Sequence, residues 1–466
     1  MGGTLHRLWL PLVFPEGLSP GEGRSGNVVA IARDGCGDGR PVLRATAVAG
    51  VLRHALARRR GCSSDDPSLQ RIFGAALDAT MQGPSRLKVG DAVLVVGKGP
   101  DVVRRNHIAI NRHRGTVLKG ALVTVEALPP GVATVLRLLL EDDGEPGCHS
   151  LDVLQEIVDC CNEGLSFGGR SARGIGRAAL NGTPTRALFD LGTLEGWAAW
   201  LDEDRRWREA ALAGRSERLS GTALTAQTGV GSVLRVKLDL GIPRGEDLLV
   251  ADGQGLDFEL EPQRVRRADG TTVWRLPGSS LRGVFRAWFA RLSARADEPV
   301  ADSYDRGAHK KDLNGADLAW GYAPRELRRA VARRSEIPVK CVVMDLFGSA
   351  YAKGRIQIAD AFASAASGLQ ARSHVAVDRV TGGANDGFFF MNGVLVASST
   401  EFSVVLTVAN PTEAEAKRLA EVVRAIDLGI LRVGSSKAGG RLALVRTPEA
   451  SGPFAATFTA LNPEGN

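Results

Sequence analysis

Short apolar stretches and amphipathic segments alternate along the chain and predict strands and helices in both of its halves. In the first half, the apolar pair at 42–43 precedes a tight turn and a helical pattern at 47–53. In the second half, the apolar run 274–277 leads in the same way into a helical pattern at 278–286. The alternation of apolar and polar positions that is typical of a strand occurs at 86–92 and at 355–361.

Four short patterns of the first half recur in the same order in the second half. They are the strand, turn and helix start described above, an aromatic residue followed by glycine, a turn typical of a hairpin, and a glycine-rich loop with basic residues. The last three lie at 72–74 and 346–348, at 110–115 and 377–382, and at 168–177 and 434–441. Because a single glycine turn is common whereas an ordered repeat is not, the repetition predicts a tandem duplication.

The duplication predicts two domains joined by a helical segment, and 466 residues are indeed too many for one ordinary domain. We place the first domain at 1–190, a helical linker at 191–222 and the second domain at 223–466. The linker carries three tryptophans at helical spacing, which predicts an amphipathic helix that either caps its own domain or docks on a partner. A charged insertion at about 291–334 occurs only in the second domain, and it either contacts a partner subunit or RNA or is disordered.

Composition and charge narrow the function further. A hydrophobic content of 44% excludes a disordered or fibrous chain, and a net charge of +7 favours polyanionic partners such as nucleic acid. Arginine suits phosphate contacts, although a GC-rich genome would give the same excess of arginine over lysine. The six cysteines form no CxxC pair, which argues against a disulfide scaffold or a zinc ribbon. With no signal peptide and no membrane-spanning apolar run, we predict a cytoplasmic protein without a membrane partner.

Three of these motifs resemble the RAMP superfamily of CRISPR proteins: the Pro-Gly-Ser-Ser-Leu-Arg-Gly run at 277–283, the Leu-Phe-Gly step at 346–348 and the terminal glycine-rich loop. Their order resembles that of the backbone subunit of type III effector complexes. The resemblance implies an α+β fold of two tandem ferredoxin-like, RRM-derived domains, each with a β-hairpin thumb that wedges into the guide–target duplex. The first copy matches more loosely, since residues 45–50 replace the Pro-Gly-Ser-Ser-Leu pattern.

What the family implies for catalysis is an aspartate on a loop before the Pro-Gly-Ser-Ser-Leu turn, working with a divalent metal, Mg²⁺ or Mn²⁺. The segment 245–257 offers Asp247, Asp252 and Asp257 as catalytic candidates. Asp257 matches the family's position best and is the candidate metal ligand. For Asp247 and Asp252 the alternative is a role in loop turns, where aspartate is common.

In the first copy, Asn27 stands where that aspartate is expected. An amide carries no negative charge with which to bind a metal tightly, so this copy is expected to hold RNA without cutting it. Asp34 and Asp38 are displaced candidates. His107 and His113 flank the first hairpin, but no second histidine or lysine pairs with them at a defined spacing, so a metal-free, guide-processing ribonuclease is a minor alternative.

Basic and hydroxyl side chains of the repeated motifs are the candidates for contacts with RNA, because glycines and arginines let backbone amides and guanidinium groups approach one phosphate together. An aromatic content of only 5% predicts contacts with the RNA backbone rather than base stacking. The candidates are Arg112, Arg170, Arg173, Arg177, Ser279, Ser280, Arg282, Arg286, Arg379, Lys437 and Arg441.

The resemblance therefore implies a double backbone subunit that binds guide RNA, positions target RNA and contacts the other backbone, small and large subunits of a type III complex. Two functions remain open. In one, the second domain is also a metal-dependent endoribonuclease that cleaves target RNA; in the other, the chain is a non-catalytic RNA-binding scaffold of the same complex. Fusion fixes the order of two consecutive sites on one guide strand, and neighbouring chains are expected to meet head to tail.

Overall fold

The computed structural model describes residues 3–25, 28–35, 39–75, 84–100, 102–108, 123–142, 150–169, 171–212, 221–226, 233–251, 257–298, 300, 341–348, 353–364, 369–396, 400–434 and 439–463. Side chains are described for these residues except 22–25, 173, 211–212, 364 and 385–388. Most of the predicted insertion at 291–334 therefore lies outside the described residues. No helix within these ranges is long and apolar enough to cross a bilayer.

The helices and strands alternate along the chain. The helices are α1 (Ala45–Arg60), α2 (Pro67–Phe73), α3 (Ser150–Glu163), α4 (Leu194–Leu212), α5 (Gly278–Arg295), α6 (Val342–Phe347), α7 (Glu413–Asp427) and α8 (Ala456–Thr459). The strands are β1 (Thr4–Phe14), β2 (Gly21–Ser25), β3 (Val28–Ile31), β4 (Val42–Leu43), β5 (Leu87–Val89), β6 (Ala92–Val93), β7 (Val103–His107), β8 (Val123–Ala127), β9 (Val132–Asp142), β10 (Ala179–Leu180), β11 (Thr185–Asp190), β12 (Thr222–Ala223), β13 (Val233–Gly241), β14 (Asp247–Leu248), β15 (Arg264–Arg266), β16 (Thr272–Leu276), β17 (Ile356–Ile358), β18 (Ala361–Ser364), β19 (Leu369–Val377), β20 (Ala384–Val396), β21 (Glu401–Ala409), β22 (Ala443–Leu444) and β23 (Glu449–Ser451).

The first domain is built on an antiparallel sheet in the order β12-β11-β1-β9-β5, with β10 also paired to β1. The central strands β1 and β9 pair along their whole length, from Thr4 opposite Asp142 to Phe14 opposite Val132. Helix α1 connects β1 to β5 through the intervening segments, and α3 connects β9 to β10. This βαββαβ order is that of a ferredoxin-like domain.

The second domain repeats the arrangement. Its sheet has the order β17-β21-β13-β22, with β23 also paired to β13. Helices α5 and α7 take the places of α1 and α3, and their side chains share one buried core with β13 and β21. The two domains confirm the predicted α+β fold and its tandem duplication.

Alternation along β1 explains how the first sheet is covered on both faces. Leu8, Leu10 and Leu12 point toward α1 and α3 and join the main core of the domain. Arg7 and Trp9, on the opposite face, are buried as well. Because successive side chains of a strand point to opposite faces, a second layer must lie over Arg7 and Trp9.

That second layer is α4, the helix in the segment predicted as a linker. The Nε and Nη2 atoms of the Arg7 guanidinium donate to the two oxygens of the Glu203 carboxylate of α4, each at 2.8 Å. Arg137 on β9 donates to Asp204 at 2.6 Å and lies over the Trp200 ring. The helix thus caps its own domain. After it, β12 still pairs with β11, so the chain leaves the first sheet only after Ala223.

The two domains meet at a buried ion pair between Arg105 of β7 and Asp360, which lies between β17 and β18. The other carboxylate oxygen of Asp360 accepts the Gly278 N–H at 2.9 Å, at the first residue of α5. The Asp360 N–H donates to the Gly174 carbonyl of the first domain at 3.1 Å. Arg105 also donates to the Glu16 carbonyl at 2.8 Å. Asp360 therefore joins three segments from the two domains, two through its carboxylate and one through its backbone N–H.

We expect Asp360→Asn to lower the free energy of unfolding by about 3–5 kcal/mol, because it leaves the Arg105 charge buried without a counter-ion. The control is Asp91→Asn. Asp91 occupies the corresponding position of the first domain, because Ala92 pairs with Leu43 as Ala361 pairs with Leu276. Its side chain is 43% exposed beside Arg44, and surface pairs of that kind contribute about 0–1 kcal/mol. Urea unfolding of the full chain measures both variants. Equal destabilisation by the two substitutions would contradict the role given to Asp360.

Candidate nucleic-acid interface

Strands β19 and β20 form a long hairpin in the second domain, at the position predicted from the repeated turn. Their pairing runs from Leu369 opposite Leu395 to Val377 opposite Ala384. Asp378 closes the turn: its carboxylate accepts the N–H groups of Val380 and Thr381, each at 2.8 Å. The hydrogen bonds from these backbone groups lower the pKa of Asp378, and the one from Thr381 has the largest effect. The hairpin tip is therefore a defined turn.

One face of this hairpin is apolar and exposed. Alternation and the pairing of Val375 with Phe389 place the exposed side chains on the same face. Phe389 has 63% of its surface accessible, which is unusual for so large an apolar side chain. The apolar residues of this face are Val375, Val377, Phe389 and Met391. Such a face suits the flat, apolar surface of a nucleobase.

The loop that carries the candidate aspartates is bonded to the hairpin. The Glu259 N–H donates to the Met391 carbonyl at 3.1 Å, and the Gly393 N–H donates to the Leu260 carbonyl at 2.8 Å. Phe258 packs over Gly393 so closely that a Cβ at that glycine would lie 2.8 Å from the ring. Because backbone bonds and ring packing fix this loop, the residue before Phe258 has a defined place beside β20.

That residue is Asp257, whose side chain has 69% of its surface exposed. A guanidinium nitrogen of Arg264 lies 3.5 Å from its carboxylate. Arg264 also pairs with Glu261 at 2.9 Å and lies over the Trp274 ring, with 5.4 Å to the ring centroid. The hydrogen bond that Arg264 donates to Glu261 is the main cause that raises the pKa of Arg264. An exposed carboxylate and a held arginine thus stand side by side next to the hairpin.

Asp247, the second candidate, lies at the base of the hairpin in β14. Its carboxylate is 3.2 Å from the Arg372 guanidinium of β19, and its carbonyl accepts the Gly440 N–H at 2.7 Å. Asp247 therefore ties the hairpin to the terminal glycine-rich loop. Asp252, the third candidate, lies outside the described residues. Within the described ranges, no group of three or more His, Cys, Asp or Glu side chains could hold a metal ion.

The two glycine-rich loops have the same local structure. The Phe167 N–H donates to the Gly176 carbonyl at 2.8 Å, and the Val433 N–H donates to the Gly440 carbonyl at the same distance. Gly176 and Gly440 have φ values of +88° and +87°. A Cβ at either glycine would overlap the carbonyl oxygen that faces it. Glycine is required at both positions, which is why the motif is visible twice in the sequence.

Comparison with protein families agrees with this duplicated geometry. The family model of the RAMP superfamily matches residues 16–179 and 229–442, which together make up more than half of the chain. The chain belongs to the RAMP superfamily. Membership implies an RNA-binding protein of CRISPR-based antiviral defence, with CRISPR RNA and other subunits of a complex as partners. A comparison with curated proteins gave no match.

The sequence predicts that the basic residues of the two glycine-rich loops are exposed and contact phosphates. Those that the structure describes are instead buried or half-buried. Arg177 is buried and forms an ion pair with Glu16, to which its guanidinium donates two hydrogen bonds. Arg441 packs beside Gly429 and is half-buried. Arg170 and Lys437 lie outside the described residues, as does the side chain of Arg173, whose backbone forms a 3₁₀ turn. Arg177 therefore organises its own loop.

At the start of α5, Ser279 and Ser280 are half-buried in the first helical turn after Pro277. Arg282 donates to the carbonyls of Ile356, at 2.8 Å, and Phe347. It therefore fastens α5 to its own domain, whereas the sequence predicts an RNA contact. Arg286, one turn later, is half-buried.

In the RAMP hairpins, Arg379 is exposed in the turn between β19 and β20. Arg112 and His113, which the sequence assigns to the first hairpin, lie outside the described residues, and His107 ends β7.

In the first copy, Asn27, which stands at the expected aspartate position, and the displaced candidate Asp38 also lie outside the described residues. Asp34 accepts the Arg40 N–H at 3.0 Å and pairs with the Arg40 guanidinium at 3.1 Å. Those contacts are typical of a turn residue.

Electrostatics at the domain junction centre on Glu16. Burial raises the pKa of its carboxyl, Arg177 opposes that rise, and the nearby charge of Asp360 adds to it. A carboxyl whose pKa is raised in the folded state stabilises the fold below its unfolded pKa, and this contribution is lost as the pH rises. Glu16 therefore needs Arg177 as a counter-ion most at neutral and alkaline pH, because the ionised fraction of its carboxyl grows as the pH rises.

Accordingly, Arg177→Met is expected to lower the free energy of unfolding by about 3–5 kcal/mol at neutral pH, because it leaves buried Glu16 without a counter-ion. The deficit relative to the original chain should shrink as the pH falls toward 4.5, the ordinary pKa of a glutamate, since protonated Glu16 is neutral. Adding Glu16→Gln to this variant should recover part of the loss. Urea unfolding at several pH values measures these differences, and a deficit that grows toward acid pH would refute the assignment.

Proposed function

We propose that this chain is a double backbone subunit of a type III CRISPR ribonucleoprotein that holds guide RNA. Through its second domain, it also cleaves complementary target RNA with the help of a divalent metal. The observation that carries the proposal is the exposed carboxylate of Asp257, fixed beside the β19–β20 hairpin and accompanied by Arg264. Family membership supports RNA binding, and the geometry of this loop is the support for cleavage.

Holding the RNA is assigned to both domains. The duplicated glycine loops and hairpins repeat the same structure along one chain, so the two domains would occupy consecutive positions on a guide strand. A net charge of +7 favours the RNA backbone as a partner. The exposed apolar face around Phe389 suits bases that have left the duplex stack. Contacts with bases are therefore proposed in addition to the backbone contacts that the composition predicts.

Cleavage would proceed by attack of a target 2′-hydroxyl on the adjacent phosphorus. A bond forms between the 2′-oxygen and phosphorus, and the bond from phosphorus to the 5′-oxygen breaks, leaving a 2′,3′-cyclic phosphate. In the proposal, Asp257 orients the hydroxyl and accepts its proton, while the departing 5′-oxygen takes a proton from water. Arg264 would stabilise the negative charge that develops on the phosphate.

A bound Mg²⁺ or Mn²⁺ would supply further stabilisation of charge on the phosphate oxygens. Asp257 is the described residue that would hold it. Magnesium in phosphate chemistry is often held by one or two carboxylates together with the substrate's own phosphates and several waters. A single exposed carboxylate fits that mode, and it does not fit a site made by protein ligands alone.

The alternative is a non-catalytic scaffold with the same RNA-binding role. It is favoured by the ion pair between Asp257 and Arg264, because an aspartate that only neutralises a neighbouring arginine would make the same contact. The two functions differ in one measurable property, which is whether removal of the Asp257 charge changes cleavage while leaving binding intact.

We expect Asp257→Asn to lower the rate of one target-RNA cut by at least about 100-fold, because the amide can neither accept the proton nor bind the metal well. The matched control is Glu259→Gln, which removes an exposed carboxylate two residues away in the same loop. Both variants are assembled with guide RNA and partner subunits and incubated with labelled target in Mg²⁺, then in chelator. If Asp257→Asn gives unchanged cleavage products, the cleavage role is refuted and the non-catalytic scaffold role remains. If the variant loses target binding, Asp257 has a structural role.

A second expectation concerns Arg379 at the tip of the hairpin. If it contacts one phosphate, Arg379→Ala should weaken binding of single-stranded RNA and reduce the slope of log affinity against log salt by about 0.7. Arg424→Ala, which removes an exposed arginine of α7, is the control and should leave the slope unchanged. Affinities measured across a salt series give both slopes. Identical slopes for Arg379→Ala and the original chain would remove the hairpin tip from the RNA interface.

A further inference from the structure

A short hairpin of the second domain, formed by β15 and β16, carries Arg264 at its base. Arg264 pairs with Trp274 across the hairpin. The turn at the other end is well defined, because the Asp269 carboxylate accepts the N–H and the hydroxyl of Thr271 at 2.8 and 2.5 Å. Strand β15 is only three residues long. The place of Arg264 is therefore closely linked to the place of the turn.

That turn is bonded to the first domain through the backbone of Ala268. The Ala268 N–H donates to the Pro130 carbonyl at 2.8 Å, and the Ala268 carbonyl accepts the Lys98 N–H at 2.8 Å. Pro130 lies between β8 and β9, and Lys98 lies in the loop after β6. Because both backbone groups of one residue are bonded to the other domain, the turn is fixed in position and in direction.

Three glycines of the first domain, Gly97, Gly99 and Gly131, surround Ala268, and we call them the socket. A Cβ at Gly97 would lie 2.6 Å from the Ala268 carbonyl oxygen, and one at Gly99 would lie 2.8 Å from the Arg267 carbonyl oxygen. Gly131 faces the Ala268 methyl group, which a Cβ there would approach to 3.5 Å. The turn and the first domain can thus approach this closely only because the socket has no side chains.

The base of the hairpin is held at the domain junction. Arg275 of β16 donates through its backbone N–H to the Gln263 carbonyl and through Nε to the Gln263 side-chain oxygen, each at 2.8 Å. Its Nη1 atom lies 3.9 Å from the buried Asp360 carboxylate. Gln263 directly precedes Arg264. Strand β15 is therefore held at one end beside the junction and at the other end by the socket.

Asp257 and Arg264 belong to different structural units. The loop of Asp257 is bonded to β20, as described above, whereas Arg264 lies on β15. In the sheet order β15-β16-β18, β15 is the edge strand. The distance between the two side chains therefore depends on how firmly the β15–β16 hairpin is held.

We propose that the first domain positions Arg264 through the socket and thereby prepares the site of the second domain for its reaction. This inference rests on the function proposed above, in which Arg264 stabilises charge on the phosphate. The socket acts through the hairpin and needs no contact with RNA. Such positioning matters because a displacement of about 1 Å in a group that acts on the reacting atoms can cost about 100-fold in rate.

Gly99→Val tests whether the socket holds the hairpin. Gly97 and Gly131 have positive φ, so a side chain there would strain the first domain itself, whereas Gly99 does not. In the full chain, hydrogen–deuterium exchange of the amides at 264–271 should become at least about 10-fold faster, because the hairpin then opens locally. The matched control is Gly90→Val, at an exposed glycine with open space around its Cβ position, and it should leave this exchange unchanged.

Cleavage by the assembled complex tests whether the socket acts through Arg264. We expect Gly99→Val to lower the rate of the cut assigned to Asp257 by at least about 10-fold without changing target affinity. Arg264→Ala should lower it by about 100-fold, and adding Gly99→Val to that variant should change the rate by less than about 2-fold. A socket with a general structural role would instead lower the rate by the same factor in both backgrounds.

A variant on the other side of the contact guards against misfolding of the first domain. Ala268→Leu enlarges the group that faces Gly131 and leaves the first domain unaltered, so it should reproduce both results. Circular dichroism establishes that each variant is folded. Unchanged hairpin exchange in Gly99→Val and Ala268→Leu, faster exchange with undiminished cleavage, or equal rate losses with and without Arg264 would each overturn the proposal.

Asp257→Asn is measured in the same series to separate this inference from the function on which it rests. If Asp257→Asn leaves cleavage unchanged, the proposed cleavage role is wrong, and the exchange of the hairpin amides still decides whether the socket holds Arg264. If Asp257→Asn abolishes the cut while Gly99→Val and Ala268→Leu leave it intact, the cleavage role holds and the positioning role is refuted.

Discussion

The carboxylate of Asp360 lies between the two domains with Arg105 as its counter-ion. Removing two charges from water is costly, and their attraction offsets that cost only when the remaining hydrogen-bonding groups are also satisfied. Here the second oxygen of Asp360 caps α5, and Arg105 has a further acceptor in the Glu16 carbonyl. The Asp360 N–H also donates to the Gly174 carbonyl, so this contact places the first glycine-rich loop beside the start of α5.

Much of the fold was accessible from the sequence because glycine marks positions that no other residue can take. The repeated glycines at φ above zero, such as Gly176 and Gly440, identify the same loop twice. Apolar alternation locates the strands between them. The duplication and the second hairpin follow from these two local signals, whereas the α+β class follows from the family resemblance that the motifs carry; the structure confirms all three.

The roles of individual arginines could not be read in the same way. Arg177 lies in a loop rich in glycine and arginine, which favours a phosphate contact, yet its partner Glu16 is 161 residues away in the chain. Arg264, the neighbour of Asp257, belongs to no motif. Composition also averages over the chain, so an aromatic content of 5% conceals three consecutive phenylalanines at 388–390 in the hairpin. A distant partner decides the role of Arg177, and the local fold of residues 257–264 decides that of Arg264.

The position of α4 has a consequence for how the first domain can meet a nucleic acid. RRM-type sheets receive bases on the face opposite their helices, where aromatic side chains stack on them. In this chain that face carries Arg7, Trp9 and Arg137, and α4 lies over them. The part of the sheet that α4 covers is thereby closed to stacking bases. Any nucleic acid that this domain binds would have to contact its loops and sheet edges instead of that face.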